Sequence, residues 1–132
     1  MKKNRIFALI LMIIFMTPAA SFAGGKTLLC GADTVTQCAY DLGCMRTSAR
    51  EVNLPRFFKV DLKREKISGV NMAADRNTAI KHLEETDDRY ILQGAENGRA
   101  WSMVIKKGVG EMAATVSDNL VGFVVFGMCT ED

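Results

Sequence analysis

From Phe57 to Cys129 apolar residues recur at alternate positions in short runs, and each run ends in a turn signal. Phe58, Val60 and Leu62 alternate with Phe57, Lys59 and Asp61, and Trp101, Met103 and Ile105 alternate with Ala100, Ser102 and Val104. A period of two puts successive side chains on opposite faces of a strand, so each run reads as a strand with one face toward a core. Between the runs stand Lys63-Arg64-Glu65, Glu85-Thr86-Asp87-Asp88, Glu96-Asn97-Gly98, the glycines 108 and 110, and Asp118-Asn119. Asn97-Gly98 is the strongest signal, because both residues tolerate the positive φ of a two-residue hairpin turn. Neither long amphipathic helices nor the strand–helix rhythm of a parallel sheet interrupts the series. The expected fold is all-β: an antiparallel meander of about eight strands forming a small barrel or half-barrel, stapled by disulfides.

The expected strands cover 27–30, 57–62, 66–70, 78–84, 89–95, 99–106, 111–117 and 120–129. Residues 31–53 read as an irregular excursion with a short helix within 47–53, and 71–77 as a loop. Tyr90, Leu92, Trp101, Met103, Ile105 and Phe123 are expected to face inward and to fill so short a barrel, leaving little room for a large ligand. The last strand is apolar on both faces, Val121, Phe123 and Val125 on one and Gly122, Val124, Phe126 and Met128 on the other. The expectation is that core covers one side and the 31–53 excursion the other. The alternative is an exposed apolar strip that receives a partner.

Cys30, Cys38, Cys44 and Cys129 make an even set in a small chain that carries an export signal, which reads as a disulfide framework. Four cysteines allow three pairings. The expected pairs are Cys38–Cys44, closing a short loop, and Cys30–Cys129, tying the first strand beside the last. The C-x7-C and C-x5-C spacings lack the C-x-x-C element of zinc clamps and redox pairs.

The export signal is Lys2, Lys3 and Arg5, the apolar run Ile6 to Met16, Pro18, and the small-x-small site Ser21-Phe22-Ala23. The run holds 11 residues, against the roughly 20 that span a bilayer. Residues 1–23 are read as a signal peptide and 24–132 as a single β domain, periplasmic or secreted, with no stable membrane anchor after cleavage. Cleavage removes three of the 17 basic residues and none of the 15 acids, so the mature chain is near −1. No basic stripe is left to neutralise phosphates, which excludes nucleic acid as the expected partner.

The single histidine, His82, stands in a strand pattern without a nucleophile motif nearby. G-x-S-x-G, H-E-x-x-H and Walker-type loops are missing. The acidic group Glu84, Glu85, Asp87 and Asp88 lacks the D-x-[DN]-x-[DN]-G calcium loop. Asp61, Glu84 and Glu111 offer carboxylates for glycoside chemistry only in the sense that any acidic domain does. The expectations are no catalysis, no cofactor and no metal site. Recognition is assigned to the hairpin tips 85–88 and 96–99, with Glu96, Asn97, Arg99, Trp101 and Phe123 as binding residues. The expected partner is a periplasmic or extracellular protein, and the alternative is a small apolar ligand carried in the barrel.

The string Leu92-Gln-Gly-Ala-Glu-Asn-Gly-Arg-Ala-Trp-Ser102, the run Phe57-Phe-Lys-Val-Asp-Leu62 and the ending Gly122-Phe-Val-Val-Phe-Gly-Met-Cys129 resemble small exported β proteins of Gram-negative bacteria with no assigned function. That resemblance implies a compartment and a size, and carries over no functional residue. Cys30 and Cys129 near the two ends, with Trp101, Lys107-Gly108 and Ala113, are similar to the periplasmic inhibitors of C-type lysozyme, small exported β-barrels whose terminal cysteines are joined. The Ser-Gly-x-x-Tyr loop with which that family enters the lysozyme cleft is missing, the spacing differs, and Cys38 and Cys44 are additional.

Overall fold

The computed structural model describes residues 26–70 and 76–132. The expected signal peptide, residues 1–23, lies outside them, as do residues 71–75 of the expected loop. Ten strands are present among the described residues: β1 (Thr27–Ala39), β2 (Gly43–Thr47), β3 (Phe57–Asp61), β4 (Lys66–Gly69), β5 (Asn77–Ala79), β6 (His82–Glu85), β7 (Arg89–Glu96), β8 (Arg99–Lys106), β9 (Glu111–Ser117) and β10 (Val121–Glu131). They form one antiparallel sheet in the order β5-β4-β3-β1-β10-β9-β8-β7-β6, with β2 on the far half of β1. The two ends of this path, β5 and β6, are separated in the chain only by Ile80-Lys81. The Lys81 N–H donates to the Gln93 carbonyl at 2.8 Å, so the sheet curls round on itself as a half-barrel.

The all-β antiparallel half-barrel is the expected fold, and the first strand lies beside the last as expected. The strand count is higher for two reasons. Residues 31–53 are not an irregular excursion: β1 continues to Ala39, held by an 11-pair ladder to β10, and β2 returns beside it. The ladder is interrupted between Ala32 and Thr34, so Asp33 is an extra residue in β1. Such a bulge shifts the alternation, and Ala32 and Val35 both end up buried although they stand three apart. Residues 78–84 are two strands meeting at a corner, where Ile80 is buried and donates its N–H to the Glu65 carbonyl at 2.8 Å. The expected helix within 47–53 is a set of turns. Glu51 there accepts from the Ser48 N–H at 2.9 Å and the Ser48 hydroxyl at 2.8 Å, as at a helix start, but Asn53 takes a positive φ of 56° and Leu54-Pro55 leads the chain away.

Both expected disulfides are formed, Cys30–Cys129 and Cys38–Cys44, each between residues directly opposite on neighbouring strands. Cys30–Cys129 is inside the half-barrel and buried; Cys38–Cys44 lies on the exposed side. Tyr90, Ile105 and Met112 form one continuous inward row, next to the row Leu92, Met103, Ala114 and Val125. Lys107 closes the end of the half-barrel beside Tyr90. Its Nζ lies 4.7 Å from the ring centroid and donates to Glu85 Oε1 and the Thr86 carbonyl, both at 2.6 Å.

The outer face of the last strand is not covered as expected. Phe126 is 52% exposed and Met128 47%. The 31–53 segment that was to cover them extends the sheet sideways instead of folding over it. Phe126 pairs with Ala113, which pairs with Val104, while Gly31 separates Met128 from Phe57. The result is an exposed apolar band across β3, β1, β10, β9 and β8.

Candidate functional site

The β7–β8 hairpin turns at Asn97-Gly98 with φ of 50° and 78°, as a two-residue turn of this sequence requires. Pairing of Glu96 with Arg99, and of Gly94 with Trp101, then puts Glu96, Arg99 and Trp101 on the inward face next to this turn. Gly94 is what allows Trp101 to lie across β7. A Cβ at position 94 would stand 2.3 Å from the indole Cζ2 and 2.7 Å from the Ala79 carbonyl oxygen. The indole Nε1–H reaches over to the end strand β5 and donates to the Thr78 hydroxyl at 3.2 Å, joining β8 to β5 across the curled sheet.

Beneath the hairpin the half-barrel is hollow. A cavity of about 380 Å³ lies between β8–β10 on one side and β3, β4 and the Asn53–Pro55 turn on the other. Its floor is apolar, made by Phe58, Ile67, Met103, Ala114, Val116 and Val125. Its mouth is polar, with Asn53, Arg76, Asn77, Glu96, Asn97 and Arg99. An apolar chamber of this size with few polar groups at one end is the usual form of a small-molecule site.

Four of the five binding residues expected from the sequence, Glu96, Asn97, Arg99 and Trp101, line this cavity. Phe123 does not; it is buried behind Arg99, whose guanidinium carbon lies 5.9 Å from its ring centroid. Arg99 Nε is 3.5 Å from Asp118 Oδ2. The other Asp118 oxygen accepts from the N–H groups of Leu120 at 3.0 Å and Val121 at 3.1 Å. These backbone donors, with a smaller contribution from Arg99, hold the Asp118 carboxyl below the usual range. Arg76 donates from Nη1 to the Asn53 carbonyl, joining the turn after β2 to β5.

The other expected recognition tip, residues 85–88, is at the opposite end of β7 and packs on Lys107, away from the cavity. His82 is exposed, with Nε2 3.9 Å from Glu84 Oε2. Among the described residues no three His, Cys, Asp or Glu side chains gather into a metal-ligating group. Sequence reasoning missed the far wall, Leu54, Phe58 and Ile67, and the polar partners Asn53 and Arg76. They are distant in the chain, and only closure of the sheet brings them to β8. No protein-family model, curated protein or solved structure matches this chain.

Proposed function

We propose that this domain is a non-catalytic binding protein that takes a small molecule with an apolar body into the half-barrel. The observation that carries this reading is the cavity of about 380 Å³, apolar at its floor and polar at its mouth. The two disulfides are consistent with an oxidising, exported environment, and the signal-like residues 1–23 support delivery there. A second reading, a domain that docks on another macromolecule, is supported by the exposed band around Phe126 and Met128.

One titration separates the two. N-phenyl-1-naphthylamine, an uncharged apolar probe, is expected to bind saturably at one site per chain. Ala114→Leu narrows the floor of the cavity and is expected to weaken that binding, whereas Phe126→Ser on the outer band leaves it unchanged. Loss of binding in Phe126→Ser with undiminished binding in Ala114→Leu would overturn the cavity reading in favour of the outer band.

A further inference from the structure

We infer that the molecule held in this cavity is an amphiphile with an uncharged, hydrogen-bonding head, such as a hydroxyl-bearing or amide-bearing group, seated at the mouth with its apolar tail on the floor. This inference rests on the cavity being the binding site and adds the chemistry of what occupies it.

The floor decides the tail. Phe58, Ile67, Met103, Ala114, Val116 and Val125 offer no side-chain hydrogen-bonding group, so a polar segment seated there would lose its water without compensation. The mouth decides the head. Its charges among the described residues are two cations, Arg76 and Arg99, and one anion, Glu96, with Asp118 standing outside the lining behind Arg99. Arg99 and Asp118 already face each other at 3.5 Å, and two backbone N–H groups keep Asp118 in its ionised form. Arg76 and Glu96, both in the lining, then balance one another in formal charge.

An ionised head entering such a mouth gives up hydration and meets no net opposite charge in return. A neutral head gives up only hydrogen bonds to water, and the mouth can replace them. The side-chain amides of Asn53 and Asn97 carry both donors and acceptors, Glu96 accepts, and the guanidinium groups donate. The set suits hydroxyls and amides better than either sign of charge.

Three probes with one tail test this: octyl glucoside, octanoate and octyltrimethylammonium, each titrated below its micelle-forming concentration against the disulfide-bonded domain, with Trp101 emission as the readout. The glucoside is expected to bind at least about tenfold more tightly than either ion, the scale of one uncompensated charge in a partly desolvated site. Tighter binding of octanoate or of octyltrimethylammonium than of the glucoside would leave the cavity standing as a site and overturn the neutral head. Absence of binding by all three would remove the cavity reading, and the inference with it. Glu96→Gln leaves the mouth with one excess positive charge. It is expected to raise octanoate affinity several-fold, to lower octyltrimethylammonium affinity, and to move the glucoside little. An unchanged order and spacing of the three affinities in Glu96→Gln would show that the head does not sit at this mouth.

Discussion

The inner faces of β7 to β10 end differently at their two extremes. At the end closed by Lys107 the facing residues are Tyr90, Ile105 and Met112, large side chains with the buried Cys30–Cys129 bridge close by. Toward the β7–β8 turn Met112 on β9 gives way to Ala114 and Val116, while Met103 and Trp101 on β8 stay large and Phe58, Ile67, Gly69 and Ala32 line the remaining walls. Both ends are apolar, so hydrophobicity does not separate them. Side-chain volume on β9 does. One end is packed as a core, and the other, built by the same strands on the same face, leaves a chamber. The chamber is thus made by a step in residue size along β9, from Met112 to Ala114 and Val116, in an otherwise uniform pattern.

The sharpest way to break this contrast is through the two disulfides, which secure different parts of the sheet. Cys30 and Cys129 are 99 residues apart, Cys38 and Cys44 only 6. If a bridge acts by restricting the unfolded chain, replacing Cys30 and Cys129 with Ala costs about 4–5 kcal/mol, and replacing Cys38 and Cys44 costs about 2 kcal/mol. Denaturant unfolding of the two double variants measures both. Equal losses would show that the local contacts of each bridge, not loop length, set its contribution.

A smaller effect tests the volume step itself. Val60 is fully buried at the packed end, and Val60→Phe is expected to destabilise by about 1–3 kcal/mol, since no space exists for the added ring. Ala114→Leu adds three carbons where the chamber can take them, and its stability is expected to stay within about 1 kcal/mol of the parent. A loss at Ala114 as large as that at Val60, seen in thermal unfolding, would mean that the chamber closes in solution.

Much of the buried core was legible in the sequence. Tyr90, Leu92, Met103, Ile105 and Phe123 are buried as their alternation implies, because period two alone assigns a face once a strand is recognised. The long first strand was not legible. Gly31-Ala-Asp-Thr-Val-Thr-Gln37 lacks large apolar residues, and the bulge at Asp33 breaks the very period that would have revealed it. The chamber was half legible. The hairpin signal at Asn97-Gly98 drew attention to Glu96, Arg99 and Trp101, while nothing local in Phe58 or Ile67 told that they face the same space. A pattern of apolar and polar letters also carries no volume, so the expectation of a filled barrel held at one end and failed at the other.

The smallest expected effects come from two aspartates, one at each end. Asp88, beside Lys107 at the packed end, is held ionised chiefly by Arg89, at 2.6 Å and 3.0 Å, and then by the Thr86 hydroxyl at 3.0 Å. Its pKa is lowered from 3.8 to about 2. A carboxyl whose pKa falls on folding adds stability that is complete above its unfolded value and is lost as pH drops through the folded one. The contribution of Asp88 is therefore full above pH 4 and fades between about 4 and 2. Asp118, behind Arg99 at the mouth, is displaced in the same direction, with backbone N–H groups as the main cause. Asp88→Asn should flatten the stability profile in that acid window and leave it unchanged above pH 5, because the variant has nothing there to titrate. Asp118→Asn should do the same and, unlike Asp88→Asn, also alter ligand binding at neutral pH by releasing Arg99 from its partner. If both variants shift binding alike, the two ends of the half-barrel are coupled, and the division into a packed end and a binding end fails.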